Sequence, residues 1–287
     1  MSVVAGRTRP RLRQMPFCDY AAIRATNWSS LRNLAVSPLR YRHATTHPAA
    51  DTAAMALGRL IHTATLEPEL LTEYAVWTGG SRRTNAYKDW AAQQGNRELV
   101  TAADYVQALG AASAVWRHRE ARKLLRGGRT EAVITWIDPE TRVRCKARLD
   151  HLRGGVLTDL KSTADIDART FGRTAQRLGY HGKVAFYRMG IAALGLAPGP
   201  AYIIAVEQTP PHDVAVYEVD EDILFVGGLE ARALLARLKE CRRRRRWPGR
   251  YPEVERLEFP EWALPATTDY TDISDLGFKL EVRGEMA

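Results

Sequence analysis

The chain has 287 residues, 45% of them hydrophobic and 26% charged, which suits one large soluble domain or two small ones. No apolar run approaches the roughly 20 residues that a membrane-spanning helix needs, so the composition argues against an integral membrane protein. Lysine and arginine outnumber the acidic residues by 42 to 33, and the resulting net charge of +9 favours a polyanionic partner.

The basic N-terminus comes first along the chain. Its first eighteen residues contain four arginines and no acidic residue. A targeting peptide is one interpretation, but the segment lacks a clear hydrophobic region or cleavage pattern. A disordered basic arm over residues 1–19 is the favoured prediction.

The next part of the chain is predicted to be helical. Serine caps and apolar spacing in "NWSSLRNLAVSPLRYRH" predict a short helix that stops at Pro38. A second helix is predicted over about 51–65, and the polar, basic stretch 81–96 is predicted to be mobile or to fold on a partner. A long helix is predicted from Thr101 to the glycine pair at 127–128.

The hydrophobic pattern then changes to a period of two. The segments "EAVITWI", "VRCKARLDHL" and "VLTDLKS" are predicted strands, as are "AYIIAVEQ" and "VAVYEV" further on. A helix-rich stretch over 168–196 separates the two groups, and a last helix begins near residue 221. Strands in the middle with helices on either side indicate one α/β or α+β domain with a helical N-terminal part.

The three cysteines are Cys18, Cys145 and Cys241. They form no C-x-x-C pair, which argues against structural zinc, and three thiols cannot hold a four-cysteine iron–sulfur cluster. An odd number of free thiols favours a reducing compartment, so we predict a cytoplasmic location.

Two aspartates, Asp150 and Asp159, flank a predicted glycine turn at 154–155. With these glycines as a two-residue turn, cross-strand pairs sum to 309, which places Asp150 opposite Asp159 with Cβ atoms about 4.5–5.5 Å apart. Lys161 points to the same face because side chains alternate along a strand. Carboxylates this close repel each other unless a cation lies between them, so the pattern indicates a cation site.

A turn over 138–141 would extend this face to the preceding strand. Cross-strand pairs there sum to 279, which places Glu131 opposite Arg148. The face then carries three carboxylates and an ammonium: Glu131, Asp150, Asp159 and Lys161. Such a face suits a hard cation such as Mg²⁺, to which the Leu160 carbonyl could add an oxygen. The alternative is a solvated strand face with cross-strand ion pairs, and a one-residue slip would scatter the cluster.

The ordered acidic residues and the Asp-x-Lys element resemble the signature of the PD-(D/E)XK nuclease fold. The blocks "GRTEAVITWIDPETRVRCKARLDHL" and "VLTDLKSTADID" are similar to the RecE-like phage and prophage exonucleases, and more distantly to lambda exonuclease. The similarity covers about residues 20–250. It implies a restriction-endonuclease-like core, with a central mixed sheet flanked by helices, in a single domain over 20–255. An acidic, irregular tail would follow over 256–287.

The resemblance implies a role for each matching residue of the predicted sheet face. Asp150 and Asp159 match the metal-binding acids, with the Leu160 carbonyl as a further ligand. Lys161 matches the catalytic lysine, and Glu131 matches the upstream glutamate.

Two helical blocks add further residues to this resemblance. His62 belongs to a G-x-x-x-H block and would sit by the metal, although a histidine on an apolar helix is usually a core or surface residue. Lys183 and Tyr187 match a Gln-x-x-x-Tyr helix and lie on one helix face. Tyr187 is thereby implied in catalysis and Lys183 in DNA binding, but lysine replaces the usual glutamine, so the role of position 183 is open.

The function implied is that of an exonuclease dependent on one or two Mg²⁺ ions, with Mn²⁺ as a substitute. It would digest linear duplex DNA from 5′ to 3′ and leave 3′ single strands for recombination, in a bacterial or phage-infected cell. Lys161 would orient the attacking water or neutralise developing charge. By the same analogy, the chain would form a ring-shaped homo-oligomer and act with a single-strand annealing protein. The alternatives are an endonuclease or repair nuclease of this fold, or a non-catalytic DNA-binding module.

Basic residues outside the strands are candidates for DNA contact. The arginine run at 242–246 ends the last helix beside Trp247, and from it we select Arg242, Arg244 and Arg246. The alternative is a solvated helix end, which the helix dipole favours in any case. Arg82 and Arg83 are candidates of the same type.

Overall fold

The structure is a computed structural model that describes residues 11–47 and 50–258. Its strands are β1 (Arg11–Arg13), β2 (Tyr74–Trp77), β3 (Glu98–Thr101), β4 (Arg129–Ile137), β5 (Arg144–Arg153), β6 (Val156–Thr163), β7 (Ala201–Glu207) and β8 (Val214–Glu218). The helices before the central strands are α1 (Phe17–Ala22), α2 (Trp28–Leu31), α3 (Asn33–Val36), α4 (Pro38–Thr46), α5 (Ala53–Leu66), a 3₁₀ helix (Pro68–Glu73), α6 (Asn85–Ala92), α7 (Ala102–Arg117) and α8 (Arg119–Leu125). The later helices are α9 (Ala168–Leu178), α10 (Tyr180–Ala193) and α11 (Glu221–Arg244).

The main sheet has six strands in the order β1-β4-β5-β6-β7-β8. It is mixed, because β6 and β7 run parallel while its other neighbouring strands are antiparallel. One apolar core lies between the sheet and the helices α10 and α11, and a second includes residues of α5, α7, β6 and β7. The five strands predicted from the period of two are all present, and the predicted fold class is confirmed.

Several helix boundaries differ from the sequence prediction. A helix ends at Val36, just before Pro38 as predicted, but Pro38 then begins α4, because the first position of a helix does not need the N–H that proline lacks. The Thr101 cap is confirmed by a reciprocal capping box with Asp104. The long helix predicted after it is broken at His118, whose backbone is extended and whose Nδ1 accepts from the Ala121 N–H to cap α8.

The polar stretch predicted to be mobile is folded. It contains α6, whose Tyr87 and Trp90 pack on Trp77 of β2 with ring centroids 5.5 and 5.2 Å apart. The strands β2 and β3 form a separate parallel pair on either side of this helix. Contacts among three half-buried aromatic rings therefore hold this segment against β2.

The predicted N-terminal arm is ordered in its described part. Residues 11–13 form β1 and pair antiparallel with β4, so the prediction of a disordered arm is wrong from residue 11 onward. Residues 1–10 lie outside the described part. The chain divides into two units, Met1–Arg250 and Tyr251–Ala287, close to the predicted start of the tail. Residues 251–258 form neither helix nor strand, and the rest of the tail prediction falls outside the described residues.

Among the described residues, no helix is long and apolar enough to cross a membrane.

Candidate metal site

The glycine turn between β5 and β6 forms as predicted. Gly154 and Gly155 have φ values of 56° and 96°, and the paired residues sum to 309 from Arg153–Val156 to His151–Thr158. The ladder of described pairs stops there, so the direct pairing predicted between Asp150 and Asp159 is wrong. Asp150 instead accepts the Leu160 N–H through Oδ2 at 2.8 Å. The strands separate at the point where the two carboxylates would meet.

The register between β4 and β5 differs from the prediction by two residues. Pairs sum to 281, so Val133 rather than Glu131 lies opposite Arg148. The connecting loop is longer than a two-residue turn: Asp138 donates its N–H to the Val143 carbonyl, and Arg142 has a φ of 62°. A shift of two residues keeps each side chain on its predicted face.

Glu131 still joins the cluster, by a different route. In the observed register it is level with Asp150, and it adopts a φ of 48° between two regular pairs of the ladder. Its Oε2 lies 2.8 Å from Nε of Arg148. Nη2 of the same guanidinium lies 3.0 Å from Oε2 of Glu67. The predicted contact between Glu131 and Arg148 is therefore present, although the predicted pairing is not.

Three side chains from different elements form a candidate metal site. One potential ligand atom from each of His62, Glu131 and Asp150 lies within 4.8 Å of the others. Asp150 and Glu131 are 6% and 7% exposed, and His62 Nδ1 lies 3.8 Å from Asp150 Oδ2. Two carboxylates and an imidazole form a donor set for a divalent cation.

The electrostatics of these three residues fit a bound cation. Burial, and then repulsion from Asp150, raise the pKa of Glu131 to about 8, although Arg148 acts in the opposite direction. Burial also lowers the pKa of His62, which favours the neutral imidazole that binds metals. A cation would relieve the repulsion between the carboxylates, so the residues present fit a metal ion.

Asp159 is not among these three residues, and each of its oxygens is contacted by a lysine. The carboxylate is fully buried; Oδ1 accepts from Lys183 Nζ at 2.7 Å and Oδ2 is paired with Lys161. Burial alone would raise the pKa of Asp159, but the two ammonium groups outweigh it and hold the pKa below its usual range. The Leu160 carbonyl, predicted as a metal ligand, accepts from Lys161 Nζ at 2.9 Å.

The histidine reaches the site because its helix lies close to β6. A Cβ added to Gly58 would lie 3.2 Å from Ser162 Oγ, so a glycine allows this close approach. His62 follows one turn later on the same face of α5. This contact explains the G-x-x-x-H spacing in physical terms.

The helix α10 brings Lys183 to the same place. It begins after Gly179, whose φ of 69° ends α9 and turns the chain. Lys183 Nζ lies 5.2 Å from the centre of the Tyr187 ring, and Lys161 Nζ lies 5.2 Å from that of Tyr180. Tyr187 is only 8% exposed, and its ring packs in the core between the sheet and α10 as well as against the Lys183 ammonium.

A cleft of about 1170 Å³ opens over these groups. His62, Glu131, Lys161 and Lys183 line it, while Asp150 and Asp159 are buried. The lining also includes Tyr180, Arg148 and Glu67, so acidic and basic groups face the same space. A phosphate in this cleft would have access to both ammonium groups.

The predicted DNA-binding arginines have other contacts. Arg242 donates to Thr26 Oγ1 at 3.2 Å, and Arg244 pairs with Glu240. Arg82 lies 3.7 Å from Asp104, while Arg83 and Arg246 are exposed.

The aromatic residue beside the arginine run is also engaged. The Trp247 ring stacks on Tyr41, with centroids 5.7 Å apart, so this face of the indole is not available to stack on a nucleotide base. Of the basic residues predicted to bind DNA, the structure brings only Lys183 into the cleft.

Sequence reasoning missed a second basic surface. Arg169, Arg173 and Arg177 recur every four residues on α9, and all three are exposed. This helix follows β6 and ends at Leu178, which lines the cleft. The spacing of four in "ARTFGRTAQR" was the available signal, because such residues share one face of a helix.

Comparison with known proteins agrees with this architecture. A search of the curated proteins finds no match. A solved crystal structure of a candidate exonuclease from Eubacterium rectale is similar, with a TM-score of 0.55 and 16% identity over 79% of this chain and 87% of that chain. At that identity the likeness concerns the fold. A family model described as a PDDEXK-like domain of unknown function (DUF3799) matches residues 27–258. Because this match spans most of the chain, the protein belongs to that PDDEXK-like family.

Proposed function

We propose that the protein is a metal-dependent nuclease that hydrolyses phosphodiester bonds of DNA. The observation that carries the proposal is the meeting of His62, Glu131 and Asp150 within 4.8 Å, with Lys161 Nζ 4.0 Å from Asp150 Oδ2. Membership of a PDDEXK-like family supports the same class of reaction.

The metal would be held by the imidazole and the two carboxylates. A bound divalent cation supplies a Lewis acid for the phosphate and lowers the pKa of a coordinated water. We propose Mg²⁺ because carboxylate oxygens are its preferred ligands, and expect Mn²⁺ to substitute for the same reason. Asp159 and the Leu160 carbonyl would become ligands only if Lys161 moved away from them.

Lys161 is the residue placed to act on the reacting phosphate. Its side chain is 13% exposed and lines the cleft next to Asp150. An ammonium at this position would stabilise negative charge that develops on the phosphate, or orient the attacking water. Burial lowers the pKa of Lys161, while the Asp159 carboxylate opposes that effect and favours the charged form.

DNA is the proposed substrate because the basic surfaces suit a polyphosphate. The arginines of α9 are exposed on the helix whose last residue, Leu178, lines the cleft, and the chain as a whole carries a net charge of +9. Cationic groups along one helix bind the DNA backbone by displacing counterions, without reading the sequence. A duplex or single strand could therefore run from the cleft along α9.

The finer assignment is that of a RecE-like exonuclease. The order of the sequence blocks supports digestion of linear duplex DNA from 5′ to 3′, with recombination as the purpose. The fold shared with a candidate exonuclease is compatible with this assignment. A ring-shaped homo-oligomer, a single-strand annealing protein as partner and a cytoplasmic location complete the proposal.

The first test compares a labelled linear duplex with a covalently closed circle, each with Mg²⁺ or with a chelator. We expect loss of the linear duplex only, and only with the metal. Cutting of the circle would indicate an endonuclease, and binding without cutting would indicate a DNA-binding module. Labels at the 5′ and 3′ ends report the polarity in the same experiment.

A substitution at Asp150 tests the metal site directly. Asp150→Asn removes a ligand charge at nearly constant volume, so we expect Mg²⁺ affinity to fall at least tenfold and hydrolysis to be lost while the fold is kept. Titration calorimetry measures the affinity, cleavage of the labelled duplex measures hydrolysis, and circular dichroism measures the fold. Asp89→Asn, an exposed position on α6, is the matched control and should change none of the three. Unchanged Mg²⁺ affinity in Asp150→Asn would refute the site.

A further inference from the structure

The last helix, α11, is apolar on two opposite faces. One face packs into the core between the sheet and α10, where Leu224 and Leu235 are buried. The opposite face is open to solvent, and Phe225 on it is 63% exposed. Residues three or four positions apart share one face of a helix. The exposed apolar residues on this face form the α11 stripe: Phe225, Val226, Leu229, Ala233 and Ala236.

A second exposed stripe lies on α7. The inner face of this helix packs in the other core through Ala111 and Val115. Val106, on the outer face, is 68% exposed. The exposed apolar residues of that face form the α7 stripe: Ala103, Val106, Leu109 and Trp116. A surface helix normally has one apolar face, which it buries, so a second apolar face on each helix indicates contact with another molecule.

The two stripes lie on opposite sides of the main sheet. Leu157 of β6 belongs to the core beneath α11, whereas Leu160 of the same strand belongs to the core beneath α7. Residues an odd number of positions apart along a strand point to opposite faces of the sheet. The stripes therefore cannot cover each other within one chain, but another copy can cover each of them.

Opposite charges flank the two stripes. The residues at the start of α11 and just before it are acidic and exposed: Glu218, Asp220, Glu221 and Asp222. The end of α7 and the helix α8 carry exposed basic residues: Arg117, Arg119, Arg122, Lys123 and Arg126. Some of these charges have partners in the chain, since Arg188 pairs with Glu221 and Lys123 lies 3.6 Å from Glu120. Within the described residues, no ion pair involves four of them: Glu218, Asp222, Arg117 and Arg122.

We propose that the α11 stripe of one chain packs on the α7 stripe of a second copy, with the acidic start of α11 beside the basic end of α7. The two helices then run antiparallel, because complementary charges at the rim orient an apolar contact. A single type of contact covers both stripes only if it joins them to each other.

This contact joins unlike surfaces, so each copy binds one neighbour through α11 and another through α7. Contacts of this kind close into a ring when the rotation between copies permits it. The inference rests on the homo-oligomer of the proposed function and names its surfaces. It does not depend on the chemistry of the cleft.

Analytical ultracentrifugation of the full chain without DNA tests the contact. The α11 variant, Phe225→Glu/Leu229→Glu, and the α7 variant, Val106→Glu/Leu109→Glu, each place two carboxylates in one stripe. Each variant alone should be monomeric, with association weakened on the order of tenfold or more. A one-to-one mixture of the two should form a dimer, because the intact α7 stripe of one variant fits the intact α11 stripe of the other.

The matched control changes two exposed apolar residues outside both stripes. Val36→Glu/Leu39→Glu should be oligomeric like the wild type. Circular dichroism verifies that every variant folds, as expected for substitutions at exposed positions.

A second pair of variants keeps both stripes and changes only the flanking charges. Glu218→Lys/Asp222→Lys and Arg117→Glu/Arg122→Glu should each weaken association on the order of tenfold. A chain with all four substitutions should recover the association, because the opposite charges have been exchanged.

Several outcomes would overturn the inference. These are a monomeric wild type, which would leave the stripes to a different protein, a stripe variant that still associates with itself, or a mixture that stays monomeric. If the stripe variants do not fold, charge variants that associate like the wild type would overturn it instead.

Cleavage of the labelled duplex by the same samples keeps this inference apart from the proposed nuclease. A monomeric wild type that cleaves DNA would overturn only the contact between copies. An oligomeric wild type that does not cleave DNA would overturn only the nuclease.

Discussion

Single side chains of the site differ sharply in what surrounds them. Asp159 is fully buried between two lysines, whereas Asp150 is near a histidine and a second carboxylate. The two aspartates look equivalent in the sequence, yet their neighbours differ. Asp150 belongs to the group of three potential metal ligands among the described residues, whereas the oxygens of Asp159 are contacted by Lys161 and Lys183.

Lys161 permits the sharpest test at the residue scale. Lys161→Met removes the charge and keeps the packing of the stem. Metal and DNA should still bind, because the three metal-ligand candidates and the surface arginines are unchanged. The rate of cleavage should fall on the order of 10²-fold, as when an electrostatic stabiliser is removed. Single-turnover cleavage with saturating protein and Mg²⁺ isolates this step. Cleavage at the wild-type rate would reduce Lys161 to an ion-pair partner of Asp159.

The geometry of the site depends on how secondary-structure elements pack, because its side chains come from two helices and from the hairpin formed by β5 and β6. The helix α5 supplies His62, α10 supplies Lys183, and β5 and β6 separate to let Asp150 bond the Leu160 N–H. A displacement of either helix would therefore change distances within the site without replacing any of its residues.

Gly58 tests this dependence. Gly58→Val would push α5 away from Ser162, because even a Cβ lies at 3.2 Å, and would thereby shift His62. We expect Mn²⁺ affinity to fall about tenfold, as for other residues that orient ligands. Gly172→Val on α9, where an added Cβ meets nothing within 4 Å, should leave the affinity unchanged. Equal Mn²⁺ affinities in the two variants would show that α5 does not need its close approach to β6.

The charge of the whole molecule bears on how it would hold DNA. The net charge of +9 is spread over several surfaces, but the arginines of the α11 run are partly engaged with Glu240 and Thr26. Those of α9 are exposed on the helix that ends at the cleft. The arginines of both surfaces attract DNA at long range. Direct contact with its phosphates depends on where each surface lies relative to the cleft.

Two triple variants compare these surfaces with equal loss of charge. Replacing Arg169, Arg173 and Arg177 together by glutamine should reduce the steepness of log affinity against log salt concentration. The slope should change by up to about 0.9 for each phosphate contact that is lost. The same replacement at 242, 244 and 246 should flatten it less. Fluorescence anisotropy with a labelled duplex over a range of salt concentrations measures both slopes. A larger effect at α11 would move the proposed DNA path to the arginine run.

The sequence by itself determined the local features of this protein. The alternation of apolar residues predicted five strands, and the glycine pair predicted the turn and its first three cross-strand pairs, because both depend on neighbouring residues. The resemblance marked Asp150, Asp159 and Lys161 as the centre of the site, and the structure brings them together there.

Only the tertiary structure decided which side chains each of these residues meets. The β4–β5 register follows from a loop in which Arg142 takes a positive φ, and nothing in the residue types required that conformation. The meeting of His62 with Asp150, and of Lys183 with Asp159, joins segments far apart in the chain, so it depends on how closely α5 and α10 pack against the sheet. Spacing along a sequence reports which side chains share an element, whereas distances between elements follow from packing.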